Sequence, residues 1–313
     1  MKKEKILMVA GPTAVGKTEY AIRIAERLGG EIVSCDSMQI YKYMDIGSAK
    51  PDKTQLARVR HHMVDVADPR EDFSVARYQE MAEDAIRQIL GKGLLPVVAG
   101  GTGLYMNSLI YDMDFAQAPA QEGYRKKLHE IAEEKGSMAL YEMLKGSDPE
   151  AAERIHPNNV KKVIRALEAC EHSDKGVQDI SALKKKRDDW DVILMGLCMP
   201  REILYERINK RVDILVSQGL EKEIRDLLAM GLDEDNISMK GIGYKEMIGH
   251  INGQYDLEEA VRLIKRNTRH YAKRQMTWFR RYEDLKWFDL TLYDNEDEAL
   301  DDMISWITGE ING

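Results

Sequence analysis

Cysteine, proline and glycine are all sparse in this chain, and each scarcity removes a class of protein. The three cysteines among 313 residues, Cys35, Cys170 and Cys198, are odd in number, widely spaced and without a C-x-x-C pair. This fits reduced thiols, excludes a disulfide framework or a cysteine-based zinc site, and makes the cytoplasm the expected location. With 23 Gly and 8 Pro against 43% hydrophobic and 32% charged residues, the composition is that of an ordered globular protein, neither collagen-like nor disordered. No stretch approaches the roughly 18 apolar residues of a membrane span. The apolar run Ile6 to Ala10 is too short for a signal segment, so neither secretion nor membrane insertion is expected. A formal net charge of −8 excludes a general polycation, so a nucleic-acid site would have to be local. The length suits two domains, or one domain carrying a large insertion.

Short, continuously apolar runs at Ile6 to Ala10, Glu31 to Cys35 and Leu94 to Ala99 read as buried strands. Between them, Lys17 to Leu28 and Val75 to Leu90 carry helical periodicity. This alternation predicts an α/β fold, a parallel sheet with helices on both faces whose ligands sit beyond the carboxyl ends of the strands. The segment 113–189 breaks the rhythm: it is rich in Ala, Glu, Lys, Met and Leu, and includes the basic run Lys184-Lys185-Lys186-Arg187. It reads as a helical insertion, leaving a discontinuous core of 1–112 and 190–313. Strand signal returns at Val192 to Cys198 and at Lys286 to Leu290, with helices dominating from Arg201 and a closing helix near Asp297 to Ile307.

Gly11-Pro12-Thr13-Ala14-Val15-Gly16-Lys17-Thr18 matches G-x-x-x-x-G-K-[ST], directly after a strand and opening a helix. Small residues there let backbone N–H groups turn inward on a polyanion, the helix N-terminus adds partial positive charge, and Lys17 adds a full one. Thr18 is placed to hold Mg²⁺. The loop reads phosphate, or diphosphate, and nothing in it requires ATP or GTP. Asp36 closes the second strand on the same sheet edge, with Ser34, Ser37 and Gln39 around it. Three roles stand level for it: a Mg²⁺ ligand through water, an Asx-type cap, or a general base. Gly100-Gly101-Thr102, at the end of the third run, is equally a plain turn or a ligand contact.

Eight Lys or Arg and no Asp or Glu lie between Arg262 and Arg281, whereas residues 282–310 hold ten acids. At about 100° per residue, Arg262, Lys265, Arg266, Arg269, Lys273 and Arg280 share one third of the helical wheel, with Ile264, Tyr271 and Trp278 opposite. A solvated basic face is the ordinary reading, yet so pure a stripe in a net-acidic protein leans toward a polyanion partner. Adjacent histidines on a strand, as His61-His62 would be, point to opposite faces and make no metal site. His156 reads as part of a helix-entry turn.

Four further stretches join these motifs: Asp36-Ser37-Met38-Gln39-Ile40-Tyr41, Met44-Asp45-Ile46-Gly47-Ser48-Ala49-Lys50-Pro51, Gly100 to Tyr105, and Arg154 to Asn158. With Arg165-Ala166-Leu167-Glu168, Gly241-Ile242-Gly243-Tyr244 and Lys273-Arg274-Gln275-Met276-Thr277-Trp278-Phe279-Arg280, they make nearly the whole chain resemble the tRNA dimethylallyltransferases. Ser48 stands where Thr is usual, Met276 where another aliphatic is common, and the insertion is short between Lys175 and Trp190. The absence of a C-terminal zinc finger makes the likeness one to the bacterial form.

The resemblance implies a P-loop NTPase-like core with a helical insertion at 113–189 contacting tRNA. It implies transfer of a dimethylallyl group from dimethylallyl diphosphate to N6 of the adenosine just 3′ of the tRNA anticodon, with release of pyrophosphate. It assigns the diphosphate to residues 11–18 with Mg²⁺ on Thr18, charge compensation to Lys17 and Arg211, and proton abstraction to Asp36, with Thr102 beside it. It gives tRNA contacts to Asp36, Ser37, Met38, Gln39 and Thr102, to Lys161, Lys162 and Arg165 of the insertion, and to Gly243, Tyr244, Lys273, Arg274, Gln275, Trp278 and Arg280. A monomer is the expected state.

Overall fold

The computed structural model describes residues 3–113, 122–172 and 185–313. Lys184 of the basic run, with residues 175–183 of the short stretch before Trp190, lies outside the described residues. The chain divides into two compact units, 1–110 with 187–313, and 111–186.

The first unit opens with β1 (Glu4–Ala10), α1 (Lys17–Leu28), β2 (Gly30–Cys35), α2 (Lys53–Arg58), β3 (His61–His62), α3 (Val75–Gly91), β4 (Leu95–Gly100) and α4 (Gly103–Ile110). The second unit is helical, with α5 (Glu122–Lys135), α6 (Ser137–Ser147), α7 (Pro149–Arg154) and α8 (Val160–His172). The first unit then resumes with β5 (Trp190–Cys198), α9 (Arg201–Ser217), α10 (Leu220–Ala229), α11 (Tyr244–Ile251), α12 (Leu257–Phe279), β6 (Lys286–Asp289) and α13 (Glu296–Asn312).

Six strands form one sheet in the order β3-β2-β4-β1-β5-β6, every pairing parallel. Parallel neighbours need crossovers, and the crossover helices cover both faces, which is why β1 can be apolar at every residue from Ile6 to Ala10. Leu7, Val9, Val97, Ile193, Met195 and Leu197 face a cluster built with α1, α9 and α13. One step out of phase, Ile6, Met8, Val98 and Leu194 are buried on the opposite face, where α3 lies against β2 and β4. Each central strand buries several side chains worth about 1.5–3 kcal/mol apiece. The sheet is therefore a rigid base for the loops at its carboxyl edge.

The histidine pair is the short edge strand β3: His62 Nε2 meets Glu31 at 2.7 Å and His61 Nδ1 lies 2.8 Å from the Val59 carbonyl. Burial lowers the His61 pKa, so the ring stays neutral. In the second unit Leu128, Leu140, Leu144, Ala151, Val163, Ile164 and Leu167 form a separate apolar core. Asp148 caps α7 by accepting the Ala151 N–H, with Pro149 at the first turn where its missing donor costs nothing. Among the described residues no helix is long and apolar enough to cross a membrane.

Where the chain leaves and re-enters the first unit, the Arg187 N–H donates to the Ile110 carbonyl at 3.0 Å. The Arg187 side chain, only 12% exposed, pairs with Glu83 and with Asp189 and lies over the Trp190 ring at 4.7 Å. It follows three lysines in sequence, but its position makes it a clamp. Removing one partner leaves the other charge enclosed and unpaired. Arg187→Met is therefore expected to cost about 3 kcal/mol in urea unfolding, and Arg187→Met with Glu83→Met to recover most of that loss.

Candidate active site

Three strand ends, Ala10, Cys35 and Gly100, meet on one edge because β4 lies between β2 and β1. The phosphate loop leaves β1 with Gly11 at φ 148°, a backbone state that side chains rarely adopt. A Cβ there would also lie 2.7 Å from the Leu197 carbonyl oxygen of β5. Gly16 and Ala14 are left-handed as well, at φ 110° and 65°, and this curls the loop over the start of α1. Lys17 folds back to donate to the Pro12 carbonyl at 2.8 Å.

Beside the loop lies a cavity of about 410 Å³ lined by Ala14, Gly16, Lys17, Thr18, Glu19, Ala49, Gln55, Arg207, Lys210, Arg211 and Ile214. Four cations and one acid therefore face one space. Arg207, Lys210 and Arg211 come from α9, where spacings of three and four residues bring side chains onto one face. Arg207 reaches the loop itself, its Nη2 lying 3.8 Å from where a Gly16 Cβ would stand. Arg207 and Lys210 were missed in the sequence, although their spacing from Arg211 was the available signal.

Loss of solvent lowers the Lys17 pKa from 10.5 to about 8, opposed by Asp36 and reinforced by Arg211. The Arg211 pKa is lowered first by burial and then by Arg207, while Asp36 raises it. The site holds more positive charge than its surroundings compensate, which is the condition for binding an anion tightly.

At the end of β2, Asp36 Oδ1 accepts the Met38 N–H at 2.9 Å and the Gln39 N–H at 3.4 Å. The cap role read from the sequence is thus occupied by one oxygen, which leaves the second oxygen for other chemistry. The Cys35 carbonyl accepts from Gly101 N and Thr102 N at 3.2 and 3.1 Å, tying the Gly-Gly-Thr loop to β2. Thr102 Oγ1 accepts the Ser37 N–H at 3.0 Å. The Cys35 thiol, pushed up to about 12 by burial, is no nucleophile.

The structure distributes the other sequence-predicted residues unevenly. Lys161, Lys162 and Arg165 are exposed on α8 of the second unit, while Val163, Ile164, Ala166 and Leu167 are buried. Lys273, Arg274 and Arg280 are exposed on α12, and among the described residues no carboxylate pairs with them. The earlier part of the basic stripe is spent locally: Arg262 pairs with Glu259, Lys265 with Asp213, and Arg269 donates to Asn209. Met38 packs against Gly241, and Gln39 accepts from Ser34 at 3.0 Å and donates to the Ala49 carbonyl at 3.4 Å. The Gly243 N–H donates to buried Glu246 at 2.7 Å. Tyr244 is fully buried, its hydroxyl donating to Glu223 at 2.9 Å. Trp278 donates to the Tyr282 hydroxyl at 3.3 Å, and Gln275 is only 5% exposed.

Glu223, on α10, was also missed. Its carboxylate accepts the consecutive N–H groups of Asp45, Ile46 and Gly47 at 2.8, 2.6 and 2.9 Å in addition to the Tyr244 hydroxyl. Three successive backbone donors form a nest for an anion, and here the anion is the protein's own. Lys50 reinforces the same loop, its ammonium bonded to Asp45, Asp65 and the Tyr41 carbonyl. The loop carries Ala49 to the cavity wall.

A parallel sheet with this loop at the end of β1, a lysine-led cation cluster and a carboxylate on the next strand end defines a P-loop protein with an insertion. The chain matches the family IPP transferase over residues 39–282 and the family Isopentenyl transferase over residues 4–72. It is 49% identical over 310 residues to a tRNA dimethylallyltransferase of Alkaliphilus oremlandii (strain OhILAs), covering 99% of each chain. A crystal structure of the full-length tRNA isopentenylpyrophosphate transferase of Bacillus halodurans superposes with a TM-score of 0.75 at 42% identity, covering 99% of this chain and 97% of that one. A eukaryotic dimethylallyltransferase captured acting on tRNA superposes with a TM-score of 0.83 at 27% identity, covering 99% of this chain and 80% of that one. The chain belongs to the IPP transferase family and is a transferase.

Lys17 gives this site a pH signature. Below pH 8 both folded and unfolded chains carry its proton and the folded protein bears the full cost of enclosing the charge. Between pH 8 and 10.5 the folded chain binds fewer protons than the unfolded one, so stability rises. Lys17→Met should therefore stabilise the unliganded protein by about 1–3 kcal/mol at pH 7, a gain that shrinks toward zero near pH 10.5. Denaturant unfolding of both proteins across this range checks it. An equal gain at both ends would contradict the assignment.

Proposed function

We propose that this protein transfers a dimethylallyl group from dimethylallyl diphosphate to N6 of the adenosine just 3′ of the tRNA anticodon, releasing pyrophosphate. The observation that carries this reading is the phosphate loop and its cation-lined cavity sharing a sheet edge with Asp36, in a chain of the IPP transferase family. As the allylic C–O bond breaks, negative charge grows on the diphosphate. The loop N–H groups, Lys17 and Arg211 offset it, and they do so better than water because they are already oriented. The adenine nitrogen attacks the allylic carbon, becomes cationic and yields a proton to Asp36, whose second oxygen is not used by the cap.

Among the described residues no group of three His, Cys, Asp or Glu could hold a metal. A divalent ion here, Mg²⁺ in our reading, would instead be held by the Thr18 hydroxyl with the oxygens of the diphosphate and water, a donor set suited to a hard cation. When bound, it supplies further positive charge to the leaving group.

Such an adenine is stacked in its loop and must be extruded to be alkylated. Ser37, Met38, Gln39 and Thr102 border Asp36 and would flank it. Lys273, Arg274 and Arg280 of α12, and Lys161, Lys162 and Arg165 of the second unit, would hold the anticodon stem-loop through its phosphates. That these six side chains are exposed supports this. Gly243 and Trp278 would shape the surface rather than carry charge, and fully buried Tyr244 would support it from beneath.

Incubation with labelled dimethylallyl diphosphate, Mg²⁺ and unmodified tRNA should place label in the RNA. ATP hydrolysis without labelling would instead make the protein a nucleotide-using enzyme. Asp36→Asn keeps the cap acceptor and removes the base, so single-turnover transfer should fall by about 10²–10⁴ while RNA affinity stays within about threefold. A transfer rate within threefold of the original would end the base assignment. Lys273→Ala should weaken RNA binding and reduce the slope of log affinity against log salt by about one.

A further inference from the structure

The signature segment at 273–280 mixes exposed cations with a glutamine whose environment is unlike theirs. Gln275 is 5% exposed, and both ends of its amide are taken. Its Oε1 accepts the Thr13 N–H of the phosphate loop at 2.8 Å, and its Nε2 donates to the Gly101 carbonyl at 2.9 Å. These partners lie 262 and 174 residues away in sequence, on loops that leave different strands. A Cβ on Gly101 would stand 2.2 Å from Nε2, so a side chain there would have to displace the amide.

The contact is part of a face. Tyr271, Gln275 and Trp278 are spaced by four and three residues on α12, so they form one row. Tyr271 lies near enough to Thr102 for that side chain to lower its pKa against the rise that burial imposes, and the Trp278 indole packs on the Gly103 backbone. The same row therefore meets three consecutive loop residues, Gly101, Thr102 and Gly103, and only Gln275 extends past them to the phosphate loop. Lys273 and Arg280 lie on the opposite side of the helix.

We infer that Gln275 is a positioning residue that sets the spacing between the phosphate loop and the Gly-Gly-Thr loop, and does not contact RNA. Its effect is on the diphosphate cradle, so the inference rests on the reading of that loop as a diphosphate site. Among the hydrogen bonds of the described residues, the Thr13 N–H is the one backbone donor of residues 11–18 given to a side chain. Fixing it outward leaves the neighbouring N–H groups to turn toward the anion.

The test uses the full-length protein with two probes, inorganic pyrophosphate with Mg²⁺ by calorimetry and an unmodified tRNA anticodon stem-loop by fluorescence anisotropy. Gln275→Met keeps the length and loses both bonds. Gln275→Glu keeps an acceptor for Thr13 and replaces the donor to Gly101 by an oxygen that repels it. Both should bind pyrophosphate at least tenfold more weakly, with stem-loop affinity within twofold of the parent and thermal midpoints that still report a folded protein. Lys273→Ala should give the reverse pattern. Weaker stem-loop binding with pyrophosphate affinity unchanged would show that the amide reads RNA and would overturn the inference. So would unchanged pyrophosphate affinity in both variants, or equal loss of both ligands with an unfolding midpoint lowered to match. If the protein bound pyrophosphate in this pattern but never labelled RNA, the enzymatic reading would fail and the role of Gln275 would stand.

Discussion

Everything at this site depends on the placement of one strand. Because β4 is inserted between β1 and β2, the ends of three parallel strands face the same way within two strand widths. A loop that curls around an anion, a carboxylate and a hydroxyl-bearing turn then share one edge without any side chain having to reach far. The registers that fix this, Ile32 with Val97 and Leu7 with Val97, lie in the most buried part of the sheet. A slip of one residue would carry each side chain to the opposite face, into packing shaped for another, so the fit of the two cores holds the chemistry in place.

The second constraint is electrostatic. Lys17, Arg207, Lys210 and Arg211 are gathered where Glu19 is the single acid on the cavity wall. Unliganded, the arrangement is costly: burial, more than the neighbouring Arg211, lowers the Lys17 pKa. An anionic ligand relieves it. Asp36 moderates the same field, raising the pKa of both Lys17 and Arg211, so the acid on the neighbouring strand belongs to the charge balance as well as to the chemistry.

Much of this could be read in advance, for physical reasons that also explain what could not. β1, β2, β4 and β5 were legible to within two residues because a strand covered on both faces is a continuous apolar run, and the phosphate loop because its spacing follows from its backbone. The parallel fold with a helical insertion followed from their order. Arg187 stands in a basic run, and sequence gives no hint that Glu83 and Trp190 enclose it. Glu223 was invisible for a different reason: a carboxylate that grips backbone N–H groups 176 to 178 residues away leaves no pattern of side-chain types. Gln275 sits in a segment whose charged neighbours suggest RNA, while its own bonds run inward. Residue type was enough to find the segment, but not to tell its two faces apart.

The carboxylate of Glu223 has one more implication. The turn at Asp45 to Gly47 is built like a receptor for an oxyanion, and it stands on the loop that borders the cationic cavity. Left open, it would be a decoy, offering a phosphate-bearing molecule a second seat close to the first. By docking a tethered, non-exchangeable counter-ion there, the polypeptide closes that seat to incoming ligand.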